Sequence, residues 1–367
     1  MEIQLLREEL LRPLQGVAGV VERRQTLPIL GNVRIEAENS GAIRLTTTDM
    51  EVEMTADIGD GAREAGTTTV SARKLLDICR ALPDGSEIHV SEQQGRLQLR
   101  AGSSLFTLGT LDAQEFPQVG SIEDGLRFSL RREVLEELLK RTSFAMAQQD
   151  VRHYLTGLLL EVGPEKLRAV CTDGHRLALC DAAQPPEVDG ERSVIVPRKA
   201  VLELERLLSQ AEETVEVTLS ARYARFALGT LGITTKLIDA QFPDYNRVVP
   251  SDTRFNILVD RGPLREAVTR VAILANEKFR GVRLEAGTNM LKLTTHNPES
   301  EEAEETVSAR YAGESFVTAF NATYLQEALG ALDAETVNFC FTASDSSTLI
   351  QQPDTERLRY VVMPIRL

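Results

Sequence analysis

The amino-acid sequence predicts an α+β protein made of three similar domains, because three features recur at intervals close to 125 residues. A glycine lies inside an apolar run in "ILGNVRIEA", "YLTGLLLEV" and "FRGVRLEA", at positions 31, 157 and 281. A polar turn follows in "LTTTDMEVEM", "AVCTDGHRLAL" and "LTTHNPESEEAEE", with Asp49, Asp173 and Asn297 at steps of 124. Lys74, Lys199 and Tyr324 then occur at steps of 125 in three amphipathic segments. A repeat of this length indicates one folding unit that is present three times.

Each unit is expected to contain the same elements in the same order. Apolar spacing predicts a first helix near Arg7–Val20, Arg131–Ala147 and Pro263–Ala275. Strands with alternating polarity follow, such as "RLQLRAG" and "TVEVTLS". A second helix comes midway, after a strand that ends in a small-residue cap, in "VSARKLLDICRAL", "VPRKAVLELERLL" and "FNATYLQEALGAL". The phrases "EFPQV", "QFPDYNRV" and "VMPIRL" are expected to close the units with an apolar residue and a proline. Strands dominate without βαβ alternation, which favours α+β.

Turn-forming phrases mark the expected domain boundaries. "GSIEDG" and "VPSDTR" predict domains at residues 1–124, 125–253 and 254–367. Three copies that share sheet edges would extend into an arc, and an arc that dimerises can close a ring.

Composition indicates an ordinary globular protein. Of 367 residues, 42% are hydrophobic and 26% are charged. We find no apolar run of the ~20 residues that a membrane helix needs, and Glu2 follows Met1, so no membrane partner and a cytoplasmic location are predicted. The formal charge of −14 argues against a chain that coats nucleic acid with its whole surface, although it permits a local basic face.

The cysteines and the acidic run do not predict a cofactor or a metal site. Four cysteines without Cys-x-x-Cys spacing indicate reduced thiols and no zinc. The sequence contains no phosphate-binding loop, dinucleotide fingerprint or His-Glu-x-x-His helix. The run "EEAEE", residues 301–305, is expected to be a solvated or interfacial charge run rather than a cation site.

The stretch "CTDGHRLALC", residues 171–180, combines thiol, carboxylate, imidazole and guanidinium groups that enzymes use in acid–base work. Asp173 corresponds to Asp49 in the first copy, so an Asx turn explains both residues without chemistry. His175, Arg176 and Leu177 belong to the second copy alone, which favours a binding surface. A hydrolase that uses Asp173 and His175 stays open as an alternative, as does a repeat scaffold without a DNA role.

Several phrases together resemble a known family. "RRQTLPILGN", "TSFAMAQQDVRHYLTG", "CTDGHRLAL", "VIVPRK", "KLIDAQFPDYNRVVP", "ILANEKFRGVRL", "NPESEEAEE" and "YVVMPIRL" occur in the order and with nearly every spacing of the bacterial DNA polymerase III beta subunits, the DNA sliding clamps. The resemblance covers the whole chain. It implies a head-to-tail homodimeric ring of six domains, with helices lining the hole and sheets outside.

The resemblance also implies a function and partners. Such a ring is a non-catalytic processivity factor that encircles duplex DNA without sequence preference. It tethers replicative and repair DNA polymerases and is placed on DNA by a clamp loader. By analogy, the residues that contact DNA are Arg24, Arg73, Gln149, Arg152, His153, Tyr154, Arg198 and Lys199. His153 stands where the family is expected to carry a tyrosine.

The family likeness further implies a groove for short apolar partner peptides. Its residues here are Leu155, Thr172, Gly174, His175, Arg176, Leu177, Pro243, Arg247, Val248, Asn321, Tyr324, Val361, Val362, Met363, Pro364, Ile365 and Arg366. Arg176 and Arg247 are expected to meet the polar ends of a bound peptide. Ile365 replaces a methionine that is commoner in the family, and Asp345 stands where a small apolar residue is usual.

The dimer seam is the third surface that the resemblance implies. Its expected residues are Lys74, Ile78, Phe106, Leu108, Ile273, Leu274, Glu301 and Glu304. Ser103 and Leu105 replace two arginines that the family often carries at this edge. Apolar contacts are therefore expected to hold the seam more than ion pairs.

Overall fold

The computed structural model describes residues 1–22, 27–120, 122, 124–209 and 211–366. Runs of strands separated by single α-helices form three successive series along the chain. The first series is β1 (Glu2–Leu6), α1 (Arg7–Val17), β2 (Asn32–Ala37), β3 (Ile43–Thr48), β4 (Val52–Ile58), β5 (Ala62–Glu64), β6 (Gly66–Ser71), α2 (Ala72–Ala81), β7 (Glu87–Gln93), β8 (Arg96–Ala101) and β9 (Ser104–Leu111).

The second and third series repeat this order without a counterpart of β5. The second is β10 (Leu126–Arg131), α3 (Arg132–Thr142), β11 (Gly157–Gly163), β12 (Lys166–Thr172), β13 (Arg176–Asp181), β14 (Arg192–Pro197), α4 (Arg198–Leu208), β15 (Thr214–Leu219), β16 (Tyr223–Leu228) and β17 (Leu231–Lys236). The third is β18 (Phe255–Asp260), α5 (Arg261–Val271), β19 (Gly281–Gly287), β20 (Met290–His296), β21 (Glu302–Arg310), β22 (Phe316–Asn321), α6 (Ala322–Ala331), β23 (Thr336–Phe341), β24 (Thr348–Gln352) and β25 (Thr355–Val362). The predicted α+β repeat is confirmed.

The first helix of each series is shorter than the sequence suggests, because its last turn tightens. α1, α3 and α5 each continue into a short 3₁₀ segment, at Ala18–Val20, Ser143–Ala145 and Ala272–Leu274. Tight i→i+3 turns of this kind are common where an α-helix ends.

The second helices begin at the predicted caps in two series. The Ser71 side chain accepts the N–H of Lys74 at 3.4 Å, and Asn321 accepts that of Thr323 at 2.9 Å. α4 instead follows Pro197, whose side chain makes no capping bond. Lys199 is accordingly the second residue of α4, whereas Lys74 is the third residue of α2, so the expected correspondence between the two lysines is off by one position.

The chain folds as two compact units. One comprises Met1–Glu136 and Pro186–Ile238, and the other comprises Glu137–Pro185 and Asp239–Leu367. In the first unit the strands pair in the order β10-β15-β16-β17-β4-β3-β2-β6-β9-β8-β7-β1-β5. In the second unit the order is β11-β12-β13-β25-β24-β23-β18-β21-β20-β19-β22.

Each unit has an apolar core between its helices and its sheet. Strands bury alternate side chains, such as Ile88 and Val90 in β7 and Leu97 and Leu99 in β8. This alternation is the pattern of an antiparallel sheet with one face on the core.

The three closing phrases of the predicted repeat do not all correspond in the structure. Ile238 donates its N–H to Ile195 O at 3.0 Å, and Ile365 donates to Ala319 O at 2.8 Å. Leu111 occupies the same place opposite Thr69. Because Ile365 corresponds to Ile238, the proline of "VMPIRL" is not the counterpart of those in "EFPQV" and "QFPDYNRV", and that part of the repeat assignment was wrong.

Candidate partner and DNA interfaces

The turn between β12 and β13 shows what Asp173 does. Its Oδ1 accepts the N–H groups of His175 at 2.9 Å and Arg176 at 3.0 Å. Asp49 accepts two N–H groups in the same way at the corresponding turn of the first series. The predicted Asx turn is confirmed in both copies, and it occupies the Asp173 carboxylate with structural bonds.

The Arg176 side chain holds three elements of the second unit together. It pairs with Asp173 at 3.2 Å and with Glu327 on α6, and it donates to the Phe144 carbonyl at 2.6 Å. Its guanidinium carbon also lies 4.5 Å from the centre of the Tyr324 ring. Only 10% of the side chain is exposed and its donors already have partners, so Arg176 supports the wall here. Its expected contact with the polar ends of a peptide stays a prediction.

His175 presents an exposed ring on this support. Its imidazole stacks on Tyr324 with ring centres 6.4 Å apart and an interplanar angle of 20°. Burial, followed by the charge of Asp173, raises the pKa of Tyr324, so the phenol stays neutral at physiological pH. An exposed imidazole on a fixed aromatic ring is suited to lining a pocket.

The thiols near His175 are poorly suited to nucleophilic chemistry. Cys171 and Cys180 are both completely buried. Burial raises the pKa of Cys180 to about 12, and thiols react as thiolates. No disulfide forms among the described residues, in agreement with the predicted reduced state.

The last strand and the segment after it form one side of the predicted groove. β25 pairs with β13, with Val361 opposite Leu177 and Val362 opposite Arg176. Met363 continues the ladder by donating its N–H to His175 O at 2.9 Å. Met363 leaves 42% of its surface exposed, so a flexible apolar side chain lies at the surface beside His175.

The other predicted groove residues divide between floor and rim in the second unit. Leu155, Thr172 and Leu177 are buried, whereas 42% of Val248 is exposed. Gly174 has a φ of 86°, which favours glycine at the Asx turn. Pro243 is exposed, and the 84% exposed side chain of Arg247 pairs with Asp244. Asn321 caps α6. The remaining members, Pro364, Ile365 and Arg366, follow Met363 in the chain.

The basic residues predicted to contact DNA differ in how free their charges are. Arg73 is two-thirds exposed on α2, with Asp77 4.0 Å away. Arg198 is half-buried at the start of α4. Lys199 pairs with Glu22 at 2.6 Å and Asp49 at 2.5 Å. Partial burial alone would lower the pKa of Lys199. Its bonds to Asp49 and Glu22 outweigh that effect and raise the pKa. Arg24 lies outside the described residues.

The segment from Gln149 to Tyr154 forms an exposed surface loop of the second unit. Val151 is 91% exposed. Arg152 donates to Asp150 at 2.8 and 3.0 Å, and this hydrogen bonding lowers the pKa of Asp150 to about 2. The same guanidinium lies beside Gly174 at the groove turn. Gln149, Arg152 and His153 are exposed, and Tyr154 is half-buried.

The predicted seam residues lie on two separate surfaces. Ile78 on α2 and Phe106 and Leu108 on β9 are half-buried, and Lys74 is exposed. Ile273 is 76% exposed at the end of α5, next to the half-buried Leu274. A large aliphatic side chain exposed to this degree at a helix end is a candidate interface contact.

The acidic run already has intramolecular partners. Glu305 pairs with Arg270 at 2.6 Å, and Glu304 pairs with Lys292 at 2.8 Å. Glu301 accepts a hydrogen bond from Asn297 at 2.7 Å. The described residues contain no cluster of His, Cys, Asp or Glu arranged to hold a metal ion. Within the same residues, no helix is long and apolar enough to cross a bilayer.

Two groove-supporting residues were missed by sequence reasoning. Glu327 and Phe144 both bind Arg176, yet they lie 151 and 32 residues away from it in the chain. Glu327 was accessible to inference, because it stands three residues after Tyr324 on the same face of α6. Phe144 contacts Arg176 through its backbone carbonyl and through its ring, whose centre lies 5.3 Å from the guanidinium carbon, and its position in the sequence signals neither contact.

Comparisons with known proteins cover the chain from end to end. Three family models match: the N-terminal domain of DNA polymerase III beta subunit at 1–120, its central domain at 129–244 and its C-terminal domain at 246–366. The chain is 48% identical to the beta sliding clamp of Pseudomonas aeruginosa over 369 residues and 47% identical to that of Pseudomonas putida over 368, with 100% of each chain covered. It is also similar to a crystal structure of the Pseudomonas aeruginosa DNA polymerase sliding clamp with ligand, with a TM-score of 0.96, 46% identity and complete coverage of both chains.

Proposed function

This chain belongs to the DNA polymerase III beta subunit family, the bacterial beta sliding clamps, and on that premise we propose how two copies close into a ring around duplex DNA. It is a three-domain sliding clamp, a processivity factor rather than an enzyme. A hydrolase that uses Asp173 and His175 is thereby ruled out, as is a scaffold without a DNA role.

The internal seams of the chain supply the template for ring closure. β4 of the first series pairs with β17 of the second, with Met54 opposite Ile233. β13 of the second series pairs with β25 of the third, with Ala178 opposite Tyr360. Successive series are therefore joined each time by the same two strands in the same antiparallel register.

Helices follow the strands at both seams. Arg206 on α4 donates to the Gln15 carbonyl of α1 at 3.3 Å and to that of Gly16 at 2.5 Å. Arg141 on α3 donates to the Ala331 carbonyl at the end of α6. A first helix thus packs against the second helix of the next series, which makes α2 of a second copy the expected partner of α5.

The strands left over by this pattern are β9 and β21. Among the described residues, Ser104–Gly109 of β9 pair only with β8, and Glu302–Ser308 of β21 pair only with β20. An unpaired edge is a template for a further strand. We propose that β21 of each copy pairs with β9 of the other, which gives two identical seams and a closed dimer.

The register of the proposed seam follows from the internal ones. Ile233 and Tyr360 lie five residues before Ile238 and Ile365, which bond to β14 and β22. Leu111 is the counterpart of Ile238 and Ile365, because it lies opposite β6. Phe106 lies five residues before Leu111.

On β21, the equivalent residues can be identified from the pairs in the β3–β4, β12–β13 and β20–β21 hairpins. Thr48 opposite Glu53 and Thr172 opposite Leu177 correspond to His296 opposite Glu302. The next residue is the one that pairs across the seam, and in β21 it is Ala303. Phe106 should therefore face Ala303 of the second copy, and Leu105 should face Glu304.

This register can be tested by cross-linking. Leu105→Cys combined with Glu304→Cys places two thiols on directly opposed residues, whose Cα atoms should be about 5.5 Å apart and within disulfide reach. Oxidation should give a covalent dimer. Leu105→Cys with Glu302→Cys is the matched control, since those residues would be diagonal neighbours. Equal cross-linking of both pairs would contradict the register, and no cross-linking of either would contradict the seam.

Clamp action reconciles a chain of charge −14 with a DNA partner. A closed ring is retained by topology, so phosphate contacts can stay few and weak enough for sliding. We propose that Arg73, Arg198 and the loop from Gln149 to Tyr154 supply these contacts. Because a sliding clamp acts on duplex DNA inside the cell, we propose that this protein functions in the cytoplasm.

We propose that the surface around His175 binds the short apolar peptides of replicative and repair polymerases and of the clamp loader. The observation that carries this proposal is the exposed His175 ring, stacked on Tyr324 and adjoining the exposed Met363. Apolar anchors in pockets with fixed aromatic walls account for most of the binding energy at such interfaces.

Retention on circular DNA tests the overall function. The protein is loaded with a clamp loader onto a nicked circular duplex, which is then linearised. Release on linearisation but not before is the expected result. Equal retention on circular and linear DNA would contradict topological binding, because a protein held only by contacts does not sense DNA ends.

A further inference from the structure

We infer that the partner-peptide groove continues past Asn321 into a second pocket centred on Phe279, which takes an apolar and acidic flank of the partner peptide. This inference rests on the proposed groove and extends it. The pocket, called here the Phe279 pocket, has a volume of about 390 Å³ and is lined by Asn276, Phe279, Gly281, Thr295, His296, Asn297, Pro298, Ile365 and Arg366.

The Phe279 pocket adjoins the groove at Asn321, which bonds to Phe279, and at Ile365, which lines the pocket. Asn321 caps α6 three residues before Tyr324, and its side chain donates to the Phe279 carbonyl at 3.4 Å. Ile365 lines the pocket and lies two residues after Met363, which bonds to His175. A peptide seated on His175 and Met363 can therefore extend along Ile365 without leaving the surface.

The Phe279 ring is exposed on a turn whose backbone is held by hydrogen bonds. It is 59% exposed, which is unusual for phenylalanine. Its N–H is 3.3 Å from the Asn276 side chain, which also accepts the Lys278 N–H at 3.0 Å. An Asx turn thus holds the backbone that carries the ring, so binding need not order this part of the chain.

The rim of the pocket favours a negative flank. The Lys278 ammonium lies 5.3 Å from the centre of the Phe279 ring, and the exposed Arg366 lines the pocket. His296 adds an exposed imidazole. The carboxylates close to the lining residues in the chain are Glu277, Glu299 and Glu301, and none of them lines the pocket. Glu301 accepts a hydrogen bond from Asn297 at 2.7 Å. Cations around an apolar floor complement a peptide with an apolar side chain next to an acidic one.

A neighbouring cavity supplies the control. A volume of about 470 Å³ lined by Arg283, Val317, Thr318, Ala319, Ser344, Asp345, Pro364, Ile365 and Arg366 shares the same tail residues. Val317 is 39% exposed there. Val317→Ala truncates an exposed apolar side chain in the other cavity, so it reports whether any loss is specific to the Phe279 side.

The test compares two fluorescent peptides by anisotropy on the full-length dimer. One is a minimal apolar clamp-binding peptide, and the other carries the same peptide with Asp-Phe-Glu added, prepared in separate N-terminal and C-terminal versions. One extended version should bind at least about fivefold more tightly than the minimal peptide, and Phe279→Ala should abolish that gain. Val317→Ala should preserve it, and Lys-Phe-Lys in place of Asp-Phe-Glu should not produce it.

The outcomes separate the two proposals. Failure of the minimal peptide to bind, or its indifference to His175→Ala, would overturn the groove itself. Normal binding of the minimal peptide with no gain from either extension, or a gain that survives Phe279→Ala, would overturn the Phe279 pocket alone. Because Phe279 is exposed, circular dichroism of Phe279→Ala should match that of the unaltered protein.

Discussion

Loss of two apolar side chains at the end of α5 should convert the dimer into monomers. The change is Ile273→Ala together with Leu274→Ala. The internal seam between α1 and α4 shows why these positions matter, because Gly19, the counterpart of Ile273, lies against the Glu203 side chain of α4. At the proposed seam, Ile273 would meet α2 of the second copy at Asp77, the counterpart of Glu203, and next to it in the chain is Ile78.

The magnitude follows from the exposed area that dimerisation would cover. Ile273 is 76% exposed in the single chain, and Leu274 is half-buried. A fully buried aliphatic side chain contributes about 1.5–3 kcal/mol, so truncating both should cost about 2–4 kcal/mol at one seam. The ring has two seams, and at about 1.4 kcal/mol per tenfold the dimer should dissociate at least about a thousandfold more readily.

Sedimentation over a concentration series measures this change. The double variant should sediment as a folded monomer at concentrations where the unaltered protein is a dimer, and it should still bind the minimal partner peptide. Val151→Ala is the control, because it truncates a 91% exposed aliphatic residue in a loop away from the proposed seam strands. A double variant that remains dimeric at the same concentrations would refute the seam.

Three further predictions concern the other surfaces. Leu105→Arg should make dimerisation more sensitive to salt than in the unaltered protein, because the new guanidinium would face Glu304 of the second copy. Sedimentation across a salt series measures this sensitivity, and an unchanged salt dependence would contradict that register. His175→Ala should weaken the minimal peptide about tenfold in anisotropy while leaving the dimer intact, because Arg176 holds the wall independently; an unaltered affinity would remove His175 from the groove. Arg24→Ala with Arg73→Ala should reduce loading on nicked circles and flatten the salt dependence of DNA contact, and a preserved salt slope would exclude both residues from the DNA surface.

Sequence periodicity identified the elements but not all of their ends. α5 begins at Arg261, two residues before the predicted Pro263, because proline is tolerated in the first turn, where an N–H has no helical partner. The 3₁₀ turns after α1, α3 and α5 were included in the predicted helices, since apolar spacing does not distinguish a tightened last turn from a helical one.

The closing phrase of the repeat shows how a sequence match can mislead. An apolar residue followed by proline occurs near the end of each series, yet only the hydrogen bonds of Ile238 and Ile365 reveal which residues correspond. Strand register depends on pairing with distant strands, and local composition carries no record of that partner.

The ion-pair partners of the charged side chains were the feature of the site that was hardest to predict from the sequence. Arg176 and Lys199 were assigned to peptide and DNA contacts, but the structure pairs Arg176 with Glu327 and Lys199 with Glu22 and Asp49. These partners lie far away in the chain or on separate strands and helices. Residue type and spacing predict where the surfaces lie, whereas the fold determines which of their charged groups already have intramolecular partners.

The paired state of Lys199 and Arg152 suits a clamp better than free cations would. Each is already bound to carboxylates, so contact with a phosphate must compete with an existing ion pair and gains little. Weak contacts release few counterions and leave the protein free to move along the duplex. Retention must then come from ring closure, which at the proposed seam would depend on the two strand edges and the apolar contacts between them.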